Sequence, residues 1–344
     1  MTRAGTRPVA LDAMGGDHAP AATVQGAVEA AREHGVPVLL VGREKVLRHE
    51  LVRHGGAPRG LEIVDAAEVI TMDDPPTAPA RAKRGSSMSV AIRLVRDGRA
   101  SAFVTAGNSG AAMVAAKLLL GAIPGVDRPA LAASVPRRDH RTLIIDAGAN
   151  VDCRPEHLEQ FAIMGHFYAE EVMGVSRPRV GLLSIGEERG KGDKVTVEAF
   201  ELIERTGLNF VGNVEGRDVY SGTVDVVVCD GFVGNVVLKT SEGLGEMIYH
   251  LLQDHARRSP VSAIGLLIAK GALRALKRKA DYAEVGGAPL LGVGGPCLVG
   301  HGRSNPKAIR NALRTAHTFG SHDVVGKITA KIAQLHGNGG IQRA

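Results

Sequence analysis

Short runs of apolar residues alternate with longer segments of helical character over most of the chain. Residues 9–12, 37–41 and 61–65 are apolar runs of strand length, and predicted helices over residues 21–34 and 43–54 separate them. The same alternation continues to about residue 250. Strands that alternate with helices are typical of a parallel sheet covered by helices. The pattern therefore predicts an α/β fold with a mostly parallel sheet.

Six of the apolar runs end in loops of one chemical type, which combine glycine with Asp, Asn, Glu, His or Lys. These runs cover residues 9–12, 102–105, 142–146, 180–185, 209–211 and 224–228. Ligands of open α/β sheets bind outside the carboxyl ends of the strands. We therefore expect the six loops to meet at one edge of the sheet and to form a single site. In the last of them, D-G-F-V-G-N leads from a buried run into a helix, which is the form of an anion site at a helix N-terminus.

Composition narrows the class of protein. The chain has 344 residues and is 44% hydrophobic, which suits one large or two ordinary domains. We expect a single domain over residues 1–335 and a disordered tail at 336–344. Aromatic residues make up only 3%, which argues against a protein that stacks nucleic-acid bases, so no nucleic-acid partner is expected. A formal charge of +6 favours acidic or phosphate-bearing partners.

Compartment signals favour the cytoplasm. Three cysteines lie far apart, so the spacing supports neither a zinc knuckle nor a disulfide framework. The basic N-terminus is not followed by an apolar segment, so no secretory signal is expected. No uncharged apolar run reaches the roughly 18 residues of a membrane-spanning helix.

The pattern changes in residues 247–283, which are predicted to form a helical hairpin. A basic stripe on one helical face there contains Lys270, Arg274, Lys277 and Arg278, and apolar residues cover most of the remaining surface. Such a segment either lies on a membrane surface or packs in a helical interface. The sequence leaves both readings open.

Several standard catalytic motifs are absent. The segment G-E-E-R-G-K-G has three residues between its first two glycines where a P-loop has four, and Gly192 replaces the magnesium-binding Ser or Thr. No G-x-G-x-x-G opens the first helix, and neither G-x-S-x-G nor H-E-x-x-H occurs. No ligand spacing supports a metal, and no cofactor is expected.

The loops instead offer backbone N–H groups, amides, a hydroxyl and amines. This inventory holds a phosphate or stabilises an oxyanion. Cys229 lies inside an apolar run, so we expect it to be a packing residue rather than a nucleophile. The residues therefore indicate binding of a phosphate-like anion, or transfer onto it, without a covalent enzyme intermediate.

Seven segments in order carry a family resemblance. They are A-M-G-G-D, A-G-N-S-G-A, D-A-G-A-N, L-S-I-G-E-E-R-G-K-G, N-V-E-G-R-D, D-V-V-V-C-D-G-F-V-G-N-V-V-L-K and G-G-A-P-L-L-G-V-G-G. From about Val9 to Phe319 the chain resembles the bacterial phosphate acyltransferase PlsX family. The resemblance implies a Rossmann-like three-layer α/β/α sandwich, akin to isopropylmalate dehydrogenases and phosphate acetyltransferases. The chain departs from the family pattern at Gly294, where Asn is expected, and at Ser109, where Thr is usual.

The resemblance also implies an activity and partners. Such enzymes transfer a fatty acyl group from acyl-[acyl-carrier-protein] to inorganic phosphate, which gives acyl phosphate for phospholipid synthesis. They are homodimers that associate peripherally with the inner face of the cell membrane. They pass acyl phosphate to a membrane-bound glycerol-3-phosphate acyltransferase.

Direct attack of phosphate on the thioester fits the loop chemistry, because the phosphate dianion is a competent nucleophile near neutral pH. The residues predicted to hold phosphate are Asn108, Ser109, Gly110, Gly234 and Asn235. Lys191 and Lys194 are predicted to offset its charge, with help from Asn213. His18 and His301 are the candidates to protonate the leaving thiolate, and a structural role is the alternative for each.

The remaining candidates come from the same loops. The other predicted binding residues are Asp12, Gly15, Gly16, Asp17, Gly107, Asp146, Asn150, Gly186, Glu187, Glu215, Asp230, Gly231 and Lys239. The predicted membrane contacts are Leu266, Leu267, Lys270 and Arg274.

Two alternatives are kept open. One is a metal- and NAD-dependent dehydrogenase on a related fold, which needs clustered Asp ligands and a cofactor loop. The other is a non-catalytic protein that binds a phosphate ligand.

Overall fold

The computed structural model describes residues 7–78, 82–258 and 260–339. Its strands are β1 Val9–Asp12, β2 Val38–Gly42, β3 Leu61–Asp65, β4 Ala102–Thr105, β5 Ala130–Pro136, β6 Arg141–Ile145, β7 Val180–Leu183, β8 Phe210–Val214, β9 Val226–Val228, β10 Ala288–Leu291 and β11 Cys297–Val299. Its helices are α1 Ala21–His34, α2 Glu44–Arg53, α3 Ser87–Arg96, α4 Ser109–Leu120, α5 Pro155–Glu171, α6 Lys194–Arg205, α7 Asp218–Ser221, α8 Gly231–Arg258, α9 Pro260–Ile268, α10 Lys270–Ala280, α11 Pro306–Ser321 and α12 Val324–Gly339, with a short 3-10 helix at Tyr282–Glu284.

The strands form one sheet in the order β3-β2-β1-β4-β11-β10-β5-β6-β9-β7-β8. Helices cover both faces, and β1 shows why its run is apolar at every position. Val9 and Leu11 pack with the buried side chains of α1 and α11, whereas Ala10 packs with those of α3 and α4. A strand buried on both faces has no polar side to expose. The predicted three-layer sandwich with a mostly parallel sheet is confirmed.

Antiparallel pairing in the middle of the sheet reverses its second half. Strand β10 pairs antiparallel with β11 and with β5, and β5 pairs antiparallel with β6. The flanking strands are parallel within each half. Strands β1, β4 and β11 therefore end at one edge, called the first edge below. Strands β6, β7, β8 and β9 end at the opposite edge, the second edge.

This reversal corrects the prediction that six loops meet at one edge. Two of the six predicted runs end at the first edge and four end at the second. The physical reason is the β5–β6 hairpin, in which Pro136 pairs with Arg141 across a tight connection. A short hairpin returns the chain in the opposite direction, so β6 runs opposite to β1. The later strands β7, β8 and β9 are parallel to β6 and therefore also run opposite to β1.

The hairpin region contains the second half of α8 together with α9 and α10. Helix α9 folds back along α8, and the Lys279 Nζ donates to the Arg138 carbonyl oxygen at 2.9 Å, which ties α10 to the β5–β6 turn. None of the helices in the described ranges is both long and apolar enough to cross a membrane.

The chain ends in a helix that the sequence pattern did not predict. Helix α12 buries Val324, Ile328 and Ile332, which recur every fourth residue and form one face. The helix is described through Gly339, and the predicted disordered tail at 336–344 stays a prediction. Residues 340–344 lie outside the described ranges. The single-domain boundaries at residues 1 and 335 stay a prediction.

Candidate active site

Three loops converge at the first edge, after β1, β4 and β11. The Asp17 N–H donates to the Gly302 carbonyl oxygen at 2.8 Å, and the Gly300 N–H donates to the Thr105 carbonyl oxygen at 2.7 Å. A Cβ on Gly16 would lie 3.2 Å from the Ala106 carbonyl oxygen. Backbone from three separate strands is thus packed together, which gives this edge a fixed shape.

Asp12 is the buried hub of these loops. The Thr105 hydroxyl donates to its Oδ2 at 2.8 Å, and the Met14 N–H donates to its Oδ1 at 3.3 Å. Burial raises the pKa of the Asp12 carboxyl, and hydrogen bonds oppose the rise in part. A side chain on Gly15 would collide with this carboxylate. Asp12 therefore holds its own loop in place.

The side chain of Asn108 is also engaged within the protein. Its Oδ1 accepts from the Ala111 N–H at 3.0 Å, so Asn108 is the N-cap of α4. Its Nδ2 donates to three carbonyl oxygens of the loop after β3, those of Thr71, Met72 and Asp74, at 3.1–3.4 Å. In this structure the amide anchors a neighbouring loop.

The backbone at the start of α4 keeps donors for a ligand. The first helical bond is the one from the Ala112 N–H to the Asn108 carbonyl oxygen, so the N–H groups of Ser109 and Gly110 precede the helical ladder. The Ser109 side chain is exposed, and the first turn contains no acidic residue. The positive end of the helix dipole is therefore open to an anion here.

Both candidate acids lie at this edge. His18 follows Asp17 in the β1 loop, and His301 precedes Gly302 in the β11 loop. Both side chains are exposed, and the His301 Nδ1 accepts from the Arg303 N–H at 3.1 Å. The hydrogen bond between Asp17 and Gly302 keeps the two loops adjacent.

At the second edge, Asp146 plays the part that Asp12 plays at the first. It accepts hydrogen bonds from the N–H groups of Gly148, Ala149 and Asn150 and from the Asn150 amide, at 2.7–3.1 Å. Burial raises the pKa of its carboxyl. A side chain on Gly234 would overlap the Asp146 carbonyl oxygen, so glycine is required where α8 crosses this loop.

The N-terminus of α8 is already occupied by protein groups. The Asp230 Oδ1 accepts from the Val233 N–H at 2.7 Å, and the Gly231 N–H donates to the Asn150 carbonyl oxygen at 2.7 Å. Asn235 is exposed on the next turn. The stretch that most resembles an anion site in sequence is thus largely satisfied by a carboxylate and a carbonyl.

The Lys191 loop is held by its backbone. The Asn213 Nδ2 donates to the carbonyl oxygens of Glu188 and Lys191 at 2.9 and 3.4 Å, and the Ser184 hydroxyl donates to that of Lys191 at 2.9 Å. The Asn213 Oδ1 is buried and has no partner within the described ranges. The Lys191 side chain remains exposed.

Other charged candidates of the second edge pair with neighbours. The Lys194 Nζ lies 3.8 Å from a Glu198 carboxylate oxygen, and the Lys239 Nζ lies 2.8 Å from one of Glu242. A Glu187 carboxylate oxygen lies 2.8 Å from a guanidinium nitrogen of Arg217. These side chains are exposed or half-exposed, so such pairs hold little energy and a ligand can displace them.

The candidates therefore separate into two groups. The first edge carries Asp12, Gly15, Gly16, Asp17, His18, Gly107, Asn108, Ser109, Gly110 and His301. The second edge carries Asp146, Asn150, Gly186, Glu187, Lys191, Lys194, Asn213, Glu215, Asp230, Gly231, Gly234, Asn235 and Lys239. Four strands, from β11 to β6, lie between β4 and the strands of the reversed half, and contact of one phosphate with both groups stays a prediction.

Cys229 is buried, and burial raises the pKa of its thiol well above the ordinary value. The negative charge of nearby Asp230 raises this pKa further. Its Sγ contacts the Asp146 carbonyl oxygen at 3.6 Å. A thiol that stays protonated and inaccessible is a poor nucleophile. The structure agrees with a packing role.

Some residues of the first edge were not predicted from the sequence. Thr105 binds Asp12, and Ser304 follows the β11 loop with a buried hydroxyl that has no partner in the part of the chain described. The polar glycine loop G-H-G-R-S-N marks the end of β11 and contains Ser304, so it was a signal for both. Gly294 also has a physical account, since a Cβ there would lie 2.6 Å from the Leu120 carbonyl oxygen.

No group of three or more His, Cys, Asp or Glu side chains within the described ranges is arranged to hold a metal ion.

A model of the family described as fatty acid synthesis protein matches residues 8–327. The chain belongs to this family. A phosphate acyltransferase of Trichlorobacter lovleyi is 48% identical over 329 residues, which are 96% of this chain and 95% of the relative. A phosphate acyltransferase of Acidobacterium capsulatum is 50% identical over 326 residues, which are 94% of this chain and 97% of the relative. The predicted family membership is confirmed.

Solved structures share the fold at low identity. The EutD phosphotransacetylase from Staphylococcus aureus superposes with a TM-score of 0.62 at 14% identity, over 92% of this chain and 94% of that one. A 4-hydroxythreonine-4-phosphate dehydrogenase from Klebsiella pneumoniae has a TM-score of 0.55 at 13% identity, over 93% of this chain and all of that one. These similarities confirm the predicted kinship of fold with phosphate acetyltransferases and with dehydrogenases, and they concern the fold alone.

Proposed function

We propose that this chain transfers a fatty acyl group from acyl-[acyl-carrier-protein] to inorganic phosphate and so supplies acyl phosphate for phospholipid synthesis. Two relatives at about half identity carry the name phosphate acyltransferase. The observation that carries the proposal is the open N-terminus of α4, with the N–H groups of Ser109 and Gly110 ahead of the helical ladder. By contrast, the Asp230 carboxylate already caps α8.

Phosphate at this position attacks the thioester carbonyl carbon through one of its oxygens. The C–O bond forms, the C–S bond breaks, and the carrier leaves as a thiolate that takes up one proton. The donors at α4 hold the phosphate in place, and positioning supplies most of the acceleration because phosphate needs no covalent activation. His18 or His301, at the same edge, supplies the proton.

Buried carboxylates support this site indirectly. Asp12 fixes the loops after β1 and β4 through Thr105 and Met14, and it keeps those loops rigid under the phosphate. Burial raises the pKa of the Asp12 carboxyl, and the hydrogen bonds that it accepts oppose the rise.

Lys191 and Lys194 serve a different purpose in this proposal. Both are exposed cations on the second edge, and the Lys194 Nζ lies 3.8 Å from a Glu198 carboxylate oxygen. Exposed cations attract an acidic carrier protein, and this attraction raises the rate at which the two proteins associate. The earlier expectation that they neutralise the bound phosphate is replaced by this docking role.

We also propose peripheral membrane contact through the outer face of α9. Ile264, Leu267 and Ile268 there are 60%, 66% and 82% exposed, and Lys270 and Arg274 follow on α10. Leu266 instead faces the groove between α9 and α8. An exposed apolar face beside cations suits an anionic lipid surface. A homodimer and a membrane-bound glycerol-3-phosphate acyltransferase as recipient are part of the same proposal.

Liposome flotation tests the membrane contact. A Leu267→Glu/Ile268→Glu variant should lose binding to anionic vesicles, whereas Val52→Glu should not, because Val52 is a 74% exposed residue on distant α2. Equal flotation of all three proteins removes the proposed contact.

The activity itself is tested by incubating the purified chain with palmitoyl-carrier protein and phosphate. Mass spectrometry should detect palmitoyl phosphate and free carrier protein in equal amounts. A chain that binds phosphate but releases neither product is a binding protein, and the proposal fails.

A further inference from the structure

A polar cavity lies beside β7 and β8, at the other end of the strand order from the α4 site. It opens at the amino ends of β7 and β8, between α5, the loops that precede the two strands, and α12. Its volume is about 370 Å³, within the range of roughly 300–1,000 Å³ that is typical of small-molecule sites. Six strands separate β8 from β4, so the cavity is distinct from the α4 site.

Two cations line this cavity without an ion-pair partner. Arg177 and Lys331 both face it, and neither forms a salt bridge with any residue in the described ranges. Lys327 lies one turn earlier on the same helix but pairs with Glu171, which neutralises it. The cavity therefore concentrates positive charge that the protein itself leaves uncompensated.

His166 adds a polar atom that the protein does not satisfy. Its side chain is only 12% exposed, and its Nδ1 is buried without a hydrogen-bond partner among the residues described. Its Nε2 lies 4.0 Å from Glu170, the one acidic residue of the lining. Burial lowers the pKa of His166, and Lys331 adds to the lowering while Glu170 opposes it. A buried orphan ring nitrogen is rare unless a ligand or water binds it.

The backbone at the mouth of the cavity is strained. Arg177 has a φ of +48°. It is the one non-glycine residue within the described ranges whose φ is positive. The Asn209 amide donates to the Arg177 carbonyl oxygen at 2.9 Å and holds this conformation. Asn209 also lines the cavity. Strain of this kind persists where the surroundings maintain it, often at ligand sites, and here it positions a guanidinium.

We propose that this cavity binds a small polyol phosphate. The phosphate group lies between Arg177 and Lys331, whose charges suit its near-dianionic form. The hydroxyl groups donate to the Glu170 carboxylate and to the Asn209 amide oxygen. A bare anion leaves Glu170 without a donor, so the mixed lining selects a ligand with both groups.

Isothermal titration with glycerol 3-phosphate and glucose 6-phosphate tests this site. Binding by the wild type should weaken about tenfold or more in Arg177→Gly, which tolerates the positive φ, and in Lys331→Met. Lys327→Met is the matched control from the same helix and should bind as the wild type does. Sulfate and glycerol, the anion and the polyol alone, should bind at least about tenfold more weakly than the two polyol phosphates.

A ring resonance locates the binding. The His166 imidazole signal, assigned by its loss in His166→Gln, should shift on saturation with glycerol 3-phosphate in wild type and in Lys327→Met. Unchanged affinity in both cavity variants, no binding of either polyol phosphate, or sulfate binding as tightly as they do overturns the proposal. None of these readouts uses acyl transfer, so failure here is distinguishable from failure of the proposed activity.

Discussion

Replacement of Ser109 by proline isolates the backbone donor that the proposed phosphate site requires. Ser109 is the first residue of α4, the position where proline is best tolerated in a helix. Asn108 before it has φ −60° and ψ 108°, the extended conformation that a residue before proline prefers. Ser109→Pro should therefore fold with near wild-type stability while it deletes one N–H and the hydroxyl. Ser109→Ala deletes the hydroxyl alone.

The size of the effect follows from the lost hydrogen bond. A bond to a charged group contributes roughly 1.5–3 kcal/mol, so its loss should lower kcat/KM for phosphate roughly 10- to 100-fold beyond the effect of Ser109→Ala. Initial rates at varied phosphate and saturating acyl-carrier protein measure this, and urea unfolding checks the stability of both variants. If Ser109→Pro and Ser109→Ala have equal kcat/KM for phosphate, the N–H of residue 109 does not bind the substrate.

Three further predictions concern charge and the thiol. Burial raises the pKa of Asp225, but hydrogen bonds from Arg179 and Arg137 outweigh this and hold the pKa at about 2, below its ordinary 3.8. About 2 kcal/mol of stability should therefore be present above pH 4 and should be lost as the pH falls to 2. Urea unfolding across this range should show that loss, and Asp225→Asn should reduce the pH dependence by about that amount; an unchanged slope in the variant refutes the assignment. Cys229→Ala should keep kcat and KM near the wild-type values, and iodoacetamide should not inactivate the native enzyme, because the thiol is buried and protonated; rapid inactivation with modification at Cys229 would contradict this. Added salt should lower the rate at sub-saturating carrier protein, since the chain carries a formal charge of +6 and salt screens its attraction to an acidic partner, and a flat salt response would count against docking by charge.

Local structure was largely predictable because each element carries its own pattern. Helix α1 and strand β3 begin and end where the sequence predicted, since apolar periodicity and glycine breaks mark both ends. Helix α12 was missed because its buried face is narrow and glycines interrupt it. Such a helix depends on packing against α5 more than on its own propensity.

Strand direction is not encoded in the apolar runs themselves, and the error about the site follows from it. The apolar run that forms β5 reads the same whether its neighbour is parallel or antiparallel. Only the tight return from Pro136 to Arg141 reverses the second half of the sheet, and nothing in the period of the run encodes that return. Loops with similar composition therefore end at opposite edges.

Residue type was also an incomplete guide to role. Asp12, Asp146 and Asn108 lie in glycine loops and resemble ligand-binding residues, yet their polar atoms bind groups of those loops or of a neighbouring one. A buried polar group must find a partner, and a tight loop offers its own N–H groups first. The donors left for a substrate are the backbone N–H groups of Ser109 and Gly110 at α4, in the A-G-N-S-G-A segment that the sequence analysis assigned to phosphate.

The central claim is direct transfer of the acyl group to phosphate, and one reaction measured by two mass spectra tests it. The chain is mixed with a single equivalent of palmitoyl-carrier protein, first without phosphate and then with it, and both small molecules and intact protein are weighed. We predict an unmodified enzyme throughout and palmitoyl phosphate only after phosphate is added. A palmitoyl adduct on the enzyme before phosphate, or no palmitoyl phosphate after it, would contradict the account.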